Sequence, residues 1–442
     1  MHNYIEFLRS STYLINYNNT KILFDPWLED GEYYGSWSHF PPKKISYDEF
    51  SDIDLICLTH IHPDHFSKKT FNKLNKRIPV LISNYKQKFL KFNLEKLGFK
   101  VLEIDHENFY YFKDFKIYSF AADNCDPEIC MKFFGCGAFG QKEKTSNQID
   151  SIFLIEVDNR VILNVNDVPY NLAEKSLSKI KEKFPKIDLL FTGYAGAGPY
   201  PQCFENLSDE TKKIAAKKKE KSFLEQARSY IDFFEPNYFI PFAGTYTLSG
   251  KLYDLNELRG VPDIQYALNY LNERTSSKGI LFQFKSLFDL DNFELISKSE
   301  KNENITKYIN YFKSKKLEYE DLEYPDEKVL IDLFSKSYLR FENYRKEINY
   351  SSETQVFFKI SIRKYIKMSA NGSGYNVVSE NEIDKTQNIL IVKIDTRLFF
   401  EILKGPRYAH WNNAEIGSHI KYFRNPDAYD RGLFYCMNFL HS

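Results

Sequence analysis

The first 295 residues are punctuated by short apolar runs: TYLINY, TKILFD, DLICLTH, PVLIS, FKIYSF, SIFLIEV, RVILNVND, IDLLFTGY, NYFIPFAG and ILFQF. Most end in Asp, Asn, Gly or Pro, where strands meet turns. Between them lie stretches with helical spacing of apolar residues, such as KTFNKLNKR, KQKFLKFNLEKLG, NLAEKSLSKIKEKF and DETKKIAAKKKEKSFLEQARSYIDFF. Strands interleaved with helices must bury their apolar faces against one another in layers, so residues 1–295 are expected to form an α/β layered domain. At Lys298–Asn304, KSEKNEN, the composition turns polar and charged and reads as a linker. Beyond it helices (EKVLIDLFSKSYLRFENYRKEI, TRLFFEILKG, NAEIGSHIKYF) and strands (TQVFFKISI, NILIVKID) predict a smaller α+β domain over 305–442.

A chain of 442 residues is long for one core, and 43% hydrophobic with 17% aromatic residues supplies two. Lys and Arg total 60 and so do Asp and Glu, so no overall field favours nucleic acid or an anionic membrane, and a small molecule is the expected partner. The basic run TKKIAAKKKEKS lies on a predicted long helix and reads as a solvated face. No apolar run approaches the roughly 20 residues that span a bilayer, and no secretory leader is apparent, which predicts a cytoplasmic protein. Six cysteines are too few for a disulfide scaffold, and Cys125, Cys130 and Cys136 form no CxxC, so reduced thiols are expected.

The segment Leu58–Phe66, LTHIHPDHF, carries three of the nine histidines and an aspartate directly after the buried-looking run DLICL. His60 and His62 are two apart, so on an extended segment they project to one side and can grip one ion. Pro63 ends the strand, and Asp64 and His65 turn back to serve a second. Imidazole with carboxylate suits zinc, iron or manganese, and strand ends are where open α/β sheets place their sites.

This H-x-H-x-D-H spacing resembles the signature of the metallo-β-lactamase superfamily. TKILFDPWL resembles the early strand and Asp-Pro-Trp loop of the branch containing N-acylethanolamine-type phospholipases, ascorbate-phosphate lactonases and CMP-N-acetylneuraminate hydroxylase. FTGYAGAGPYP, PNYFIPFAGTY and AHWNNAEIGSHI are similar to segments of the hydroxylase. The resemblance implies an αββα sandwich, one or two divalent metal ions (zinc, iron or manganese), and a bridging Asp167 delivered by VILNVNDVP. It also implies that His60, His62, Asp64 and His65 are ligands, with Asp64 catalytic as well, and that Asp25 orients a ligand.

Two family histidines are missing. After FKIYSF the sequence reads AADNCDPE, so Asp123 is expected to stand in, with Asn124 or Asp126 as fallbacks; near PFAGTY there is Ala243, which cannot bind metal. His106 falls too early and reads as surface. The expectation is that the second domain folds back and completes the site through His410, or else His419, which lies four residues after Glu415 on a predicted helix face. The glycines of FTGYAGAGPYP, Gly193, Gly196 and Gly198, either expose backbone N–H groups to an anionic ligand or merely permit tight passage. Tyr194 and Tyr200 are candidate ring-stacking groups, and Trp27, Tyr33, Tyr34 and Trp37 a ring-binding wall.

Three functions are therefore open. A metal-bound hydroxide could attack a phosphoester, lactone or amide of a small anionic or sugar- or phosphate-containing substrate. An iron-dependent hydroxylase could act on a sugar nucleotide; the resembled hydroxylase family carries a Rieske domain, whose cluster needs Cys-x-His pairs, and none occurs here, so the electrons would come from a separate reductase. Third is a non-catalytic binding protein with a degenerate site.

Overall fold

In the computed structural model, which describes residues 3–122, 150–296 and 304–442, two sheets stack face to face. The first has eight strands, in the order Glu294–Leu295, Ser286–Asp289, Tyr4–Arg9, Thr12–Tyr17, Thr20–Phe24, Leu55–Leu58, Val80–Ser83 and Val101–Ile104. Its early strands pair antiparallel, whereas Thr20–Phe24 through Val101–Ile104 run parallel, with helices Lys68–Lys73 and Phe89–Lys96 in the later crossovers. The second has seven strands, in the order Lys278–Gly279, Tyr238–Phe242, Leu189–Gly193, Arg160–Asn164, Ser151–Val157, Phe115–Ala121 and Phe109–Phe112.

Successive side chains of a strand face opposite ways, and here both faces are apolar. Leu55 and Cys57 enter the layer between the sheets with Phe24, Phe153, Ile155, Leu189 and Phe191. Ile56 and Leu58 point outward to Phe71, Leu74, Leu90 and Leu94 of the covering helices. On the other sheet Ile152 and Leu154 face Leu177 and Ile180 of helix Glu174–Lys183, and Tyr230 and Ile231 of helix Asp209–Phe234. Each such side chain contributes roughly 1.5–3 kcal/mol by leaving water. The result is the expected αββα sandwich.

The C-terminal region is α+β, also as expected. Its five strands lie in the order Tyr375–Ser379, Lys364–Ser369, Gln355–Lys359, Ile389–Lys393 and Lys421–Asn425. Helix Glu327–Glu347, capped by the Asp326 carboxylate, packs Leu330, Phe334 and Phe341 against one face of that sheet. The core on that face continues into the sandwich: Trp27, Tyr33, Trp37 and Tyr246 share it with Phe358 and Trp411. Backbone bonds from Glu205 N–H to the Tyr422 carbonyl (2.6 Å) and from Tyr422 N–H to the Cys203 carbonyl (2.8 Å) stitch the two regions together.

This shared core corrects the expectation for Trp27. Its ring is fully buried, 4.0 Å from the His39 ring, and its indole N–H donates to the Glu29 carbonyl at 2.7 Å. It fastens the two regions together and offers no face to a ligand. Among the described residues no helix is long and apolar enough to cross a membrane.

Candidate metal centre

The strand Leu55–Leu58 is parallel to both neighbours, so its C-terminal end opens at the rim of the sandwich. Thr59 and His60 leave it, and a turn follows in which the N–H groups of His65 and Phe66 donate to the His62 carbonyl at 3.0 and 2.7 Å. Ser67 then caps helix Lys68–Lys73, its hydroxyl accepting from Thr70 N–H. His60 and His62 converge through this turn, not along an extended strand as expected.

Asp167 arrives from the other sheet, three residues beyond strand Arg160–Asn164. Asn166, at a φ of +37°, makes the bend: its N–H donates to Asn164 Oδ1 and its Oδ1 accepts from Asp167 N–H. Gly193 passes beneath so closely that a Cβ there would lie 2.9 Å from the Asn166 carbonyl, so at this glycine tight passage is a structural requirement. Ser151 Oγ donates to the Thr59 carbonyl at 2.6 Å, tying the rims of the two sheets together.

Two groups of donor atoms result, each with its atoms within 4.8 Å of one another: His60, His62 and Asp167, and Asp64, His65 and Asp167. Asp167 Oδ2 lies 3.7 Å from His60 Nε2 and 3.4 Å from His65 Nε2, between the two. The hydrogen bonds behind the histidines fix which nitrogen faces inward. Asp25 accepts from Thr59 N–H (2.8 Å), from the Thr59 hydroxyl (2.8 Å) and from His65 Nδ1 (2.9 Å). The Thr59 hydroxyl, already donating to Asp25, takes the Nδ1 proton of His60 at 3.0 Å. Both imidazoles therefore turn Nε2 to the centre, and both Nε2 atoms are buried with no hydrogen-bond partner among the described residues. Asp25 thus fixes the orientation of Thr59 and His65. Tyr33 acts similarly on Asp64, its hydroxyl donating to Oδ1 at 2.5 Å and leaving Oδ2 3.6 Å from His65 Nε2.

Asp150 was not anticipated. It directly precedes strand Ser151–Val157, and its Oδ1, buried and without a hydrogen-bond partner among the described residues, lies 3.8 Å from His60 Nε2. Its only sequence signal is a carboxylate opening an apolar run, which many strands share. Asp123, Asn124 and Asp126, expected to fill the first missing position, lie outside the described residues.

Three carboxylates and three imidazoles crowded together are electrostatically unbalanced. Burial, then the neighbouring imidazoles, push His60 well below the ordinary histidine range. Burial and Asp167 raise Asp150 to about 7. Burial raises Asp64 too, with Asp167 adding to it against the pull of His65. Burial also opposes charge on His65, but Asp25, Asp167 and Asp64 outweigh it and push that imidazole up. A cation would relieve the whole set, ionising the acids and taking the unpartnered nitrogens. The residues present thus fit a metal centre.

The remaining candidates fall elsewhere. His410 belongs to neither donor group; its backbone N–H donates to the Tyr34 hydroxyl at 2.6 Å as it opens helix Trp411–Ile416. His419 has both ring nitrogens engaged, Nε2 with the Tyr33 carbonyl (2.7 Å) and Nδ1 with the Tyr319 hydroxyl (3.1 Å). The helix ends at Ile416, so Glu415 and His419 do not share a helical face, and Glu415 accepts from the Tyr422 hydroxyl at 2.6 Å. His106 accepts from Ala121 N–H and meets Glu107 at the surface. Ala243, at a φ of +60°, donates its N–H to the Ser10 carbonyl. Tyr194 is buried beside Leu224 and Ala267, and Gly196 lies where a Cβ would strike the Phe223 ring at 1.9 Å, so tight passage explains this glycine too. Tyr200 packs on Phe204 with Arg424 over its ring.

With this geometry in view, comparison with known proteins points the same way: residues 4–217 match the family model described as "Beta-lactamase superfamily domain". Those residues thus resemble a metallo-β-lactamase superfamily domain, as the H-x-H-x-D-H spacing led us to expect. A putative Rieske 2Fe-2S iron–sulfur protein of Mycolicibacterium smegmatis is 26% identical over 57% of this chain and 45% of its own. The cytidine monophosphate-N-acetylneuraminic acid hydroxylase of Danio rerio is 24% identical over 51% of this chain and 35% of its own. The chain thus spans less than half the length of these relatives. A possible metal-dependent hydrolase of Veillonella parvula is similar in fold (13% identical, TM-score 0.45), over 66% of this chain and all of that one.

Proposed function

We propose that His60, His62, Asp150 and Asp167 hold one metal ion, that Asp64, His65 and Asp167 hold a second, and that the protein is an iron-dependent hydroxylase of a small anionic substrate. The observation that carries this reading is the donor set, in which Asp150 stands beside His60 so that carboxylates match imidazoles in number. Such a set is harder and more anionic than a three-histidine zinc centre and suits iron or manganese. The name of the hydroxylase relative supports the same chemistry.

Iron held there would supply dioxygen activation, with two electrons and two protons drawn through a separate reductase, so that one oxygen atom enters the substrate and the other leaves as water. The chain's own part is to position. Asp25 and Thr59 keep Nε2 of His60 and His65 aimed inward, and Tyr33 holds Asp64 so that one oxygen stays available. Asp167, about one-third exposed at its side chain, lies on the open side of the cluster, where substrate would enter.

The intact H-x-H-x-D-H turn favours a second reading, a zinc hydrolase of a phosphoester, lactone or amide. Metal analysis of protein from cells supplied with iron, manganese and zinc, followed by oxygen uptake with reduced ferredoxin, separates the two. Iron with oxygen uptake is expected. Zinc, no oxygen uptake and cleavage of p-nitrophenyl esters would overturn the hydroxylase in favour of the hydrolase.

A further inference from the structure

Two cations sit together with no ion-pair partner among the described residues. The Arg259 guanidinium lies against Tyr246, Nη2 donating to its carbonyl at 2.6 Å and Cζ standing 4.3 Å from the ring centroid. Its Nε and Nη1 are buried and have no acceptor. The next residue, Gly260 (φ +67°), presses on helix Asp209–Phe234 so closely that a Cβ there would lie 2.6 Å from the Ala216 carbonyl and 3.2 Å from Lys219 Cβ. That contact brings Arg259 beside Lys219. In the run expected to be wholly solvated, Lys213, Lys217, Lys218 and Lys221 are exposed but Lys219 turns inward, its Nζ donating to the Tyr200 carbonyl at 3.1 Å. Neither cation has a carboxylate partner among the described residues. Burial, then the charge of Arg259, push the Lys219 ammonium down to about 7.

Like charges held together out of water are costly, and the arrangement makes sense where the opposite charge arrives with a ligand. Its place is informative. The Tyr246 ring stacks on Trp37 (3.5 Å, 9°), Trp37 adjoins Tyr33 (4.5 Å), and Tyr33 bonds Asp64. Burial raises the Tyr246 hydroxyl to about 12; Arg259 opposes that rise, and Asp64 and Asp167 add to it, so one side chain senses both Arg259 and the carboxylates of the proposed metal centre.

We propose that Arg259 and Lys219 form an oxyanion subsite, which receives a carboxylate or phosphate of the substrate while its reacting carbon lies at the metal centre. The alignment with a reacting carbon rests on the metal-centre reading, whereas the subsite stands on its own residues. Arg259 supplies unpaired N–H groups in the planar fork that fits either anion, and Lys219 adds a point charge.

The test is calorimetric titration of the full chain, freed of metal by chelator and dialysed, with inorganic phosphate and separately with acetate at pH 6.5. One equivalent of phosphate or acetate is expected to bind, and the tighter of the two identifies the headgroup. Arg259→Gln should weaken binding by about tenfold or more, and Lys219→Met by about threefold. Both variants should reload metal to the wild-type level, so a failure of the metal reading would appear separately, as wild-type protein that binds the anion but no metal. The proposal is overturned if wild-type protein binds neither anion, or if the variants bind as wild type does. Should Arg259→Gln not fold, Lys219→Met decides alone.

Discussion

Two clusters of buried ionisable side chains, built from the same residue types, differ in one respect. At the rim of the sandwich, His60 Nε2, His65 Nε2 and Asp150 Oδ1 face one another without hydrogen-bond partners among the described residues. At the junction with the C-terminal region, His419 uses both ring nitrogens, and Glu415 accepts from Tyr422. Burial pushes His419 down to about 4 and Glu415 up to about 7, favouring the neutral form of each. A buried polar atom without a partner is rare and costly. The lesson is that the unpaired atoms, not the histidines themselves, distinguish a ligand set from a structural network. Tyr33 joins the two clusters, its hydroxyl on Asp64 and its carbonyl on His419.

That contrast can be broken most severely at Asp167, the one carboxylate shared by both donor groups. Asp167→Ala should abolish activity and cut bound metal below one ion per chain, read by elemental analysis; retention of two would dissolve the distinction. Next is Asp25→Asn, which removes the acceptor for Thr59 and His65. Metal affinity should fall about 10–100-fold, measured by competition with a chromophoric chelator. His419→Ala sharpens the comparison from the other side: it should cost roughly 2–3 kcal/mol of stability through lost hydrogen bonds and packing, with metal content unchanged.

The smallest effect is one of pH. Glu415 has a folded-state pKa of about 7 against an ordinary 4.5. Below 4.5 both folded and unfolded chains hold the proton. Between the two values the unfolded chain ionises first, so stability falls as pH rises, and above 7 the full loss is felt. Glu415→Gln should therefore match wild type near pH 4.5 and exceed it at pH 8 by on the order of 2–3 kcal/mol, as denaturant titrations at the two pH values would show.

The layered fold was readable because its strands are apolar on both faces and its helices have a helical apolar stripe, as with LICL beneath Phe71 and Leu90. The H-x-H-x-D-H turn was readable because its donors are contiguous. Asp150 was not: its place depends on strand Ser151–Val157 pairing with Phe115–Ala121 and on the two rims meeting at Thr59, which are long-range facts with no local signature. His419 and Trp27 misled for the converse reason. Their residue types suit ligation or stacking, but only tertiary contacts reveal that His419 is fully bonded and that Trp27 lies inside a core shared by both regions.

The account's central claim is that Asp167 stands between two cation sites. Anomalous scattering from crystals grown without chelator tests it most directly. Two metal peaks about 3.5–4 Å apart, one beside His60 and His62, the other beside Asp64 and His65, and both reached by Asp167, are the predicted result. No peak at this turn, or a peak held by His410 or His419 in place of these residues, would contradict it.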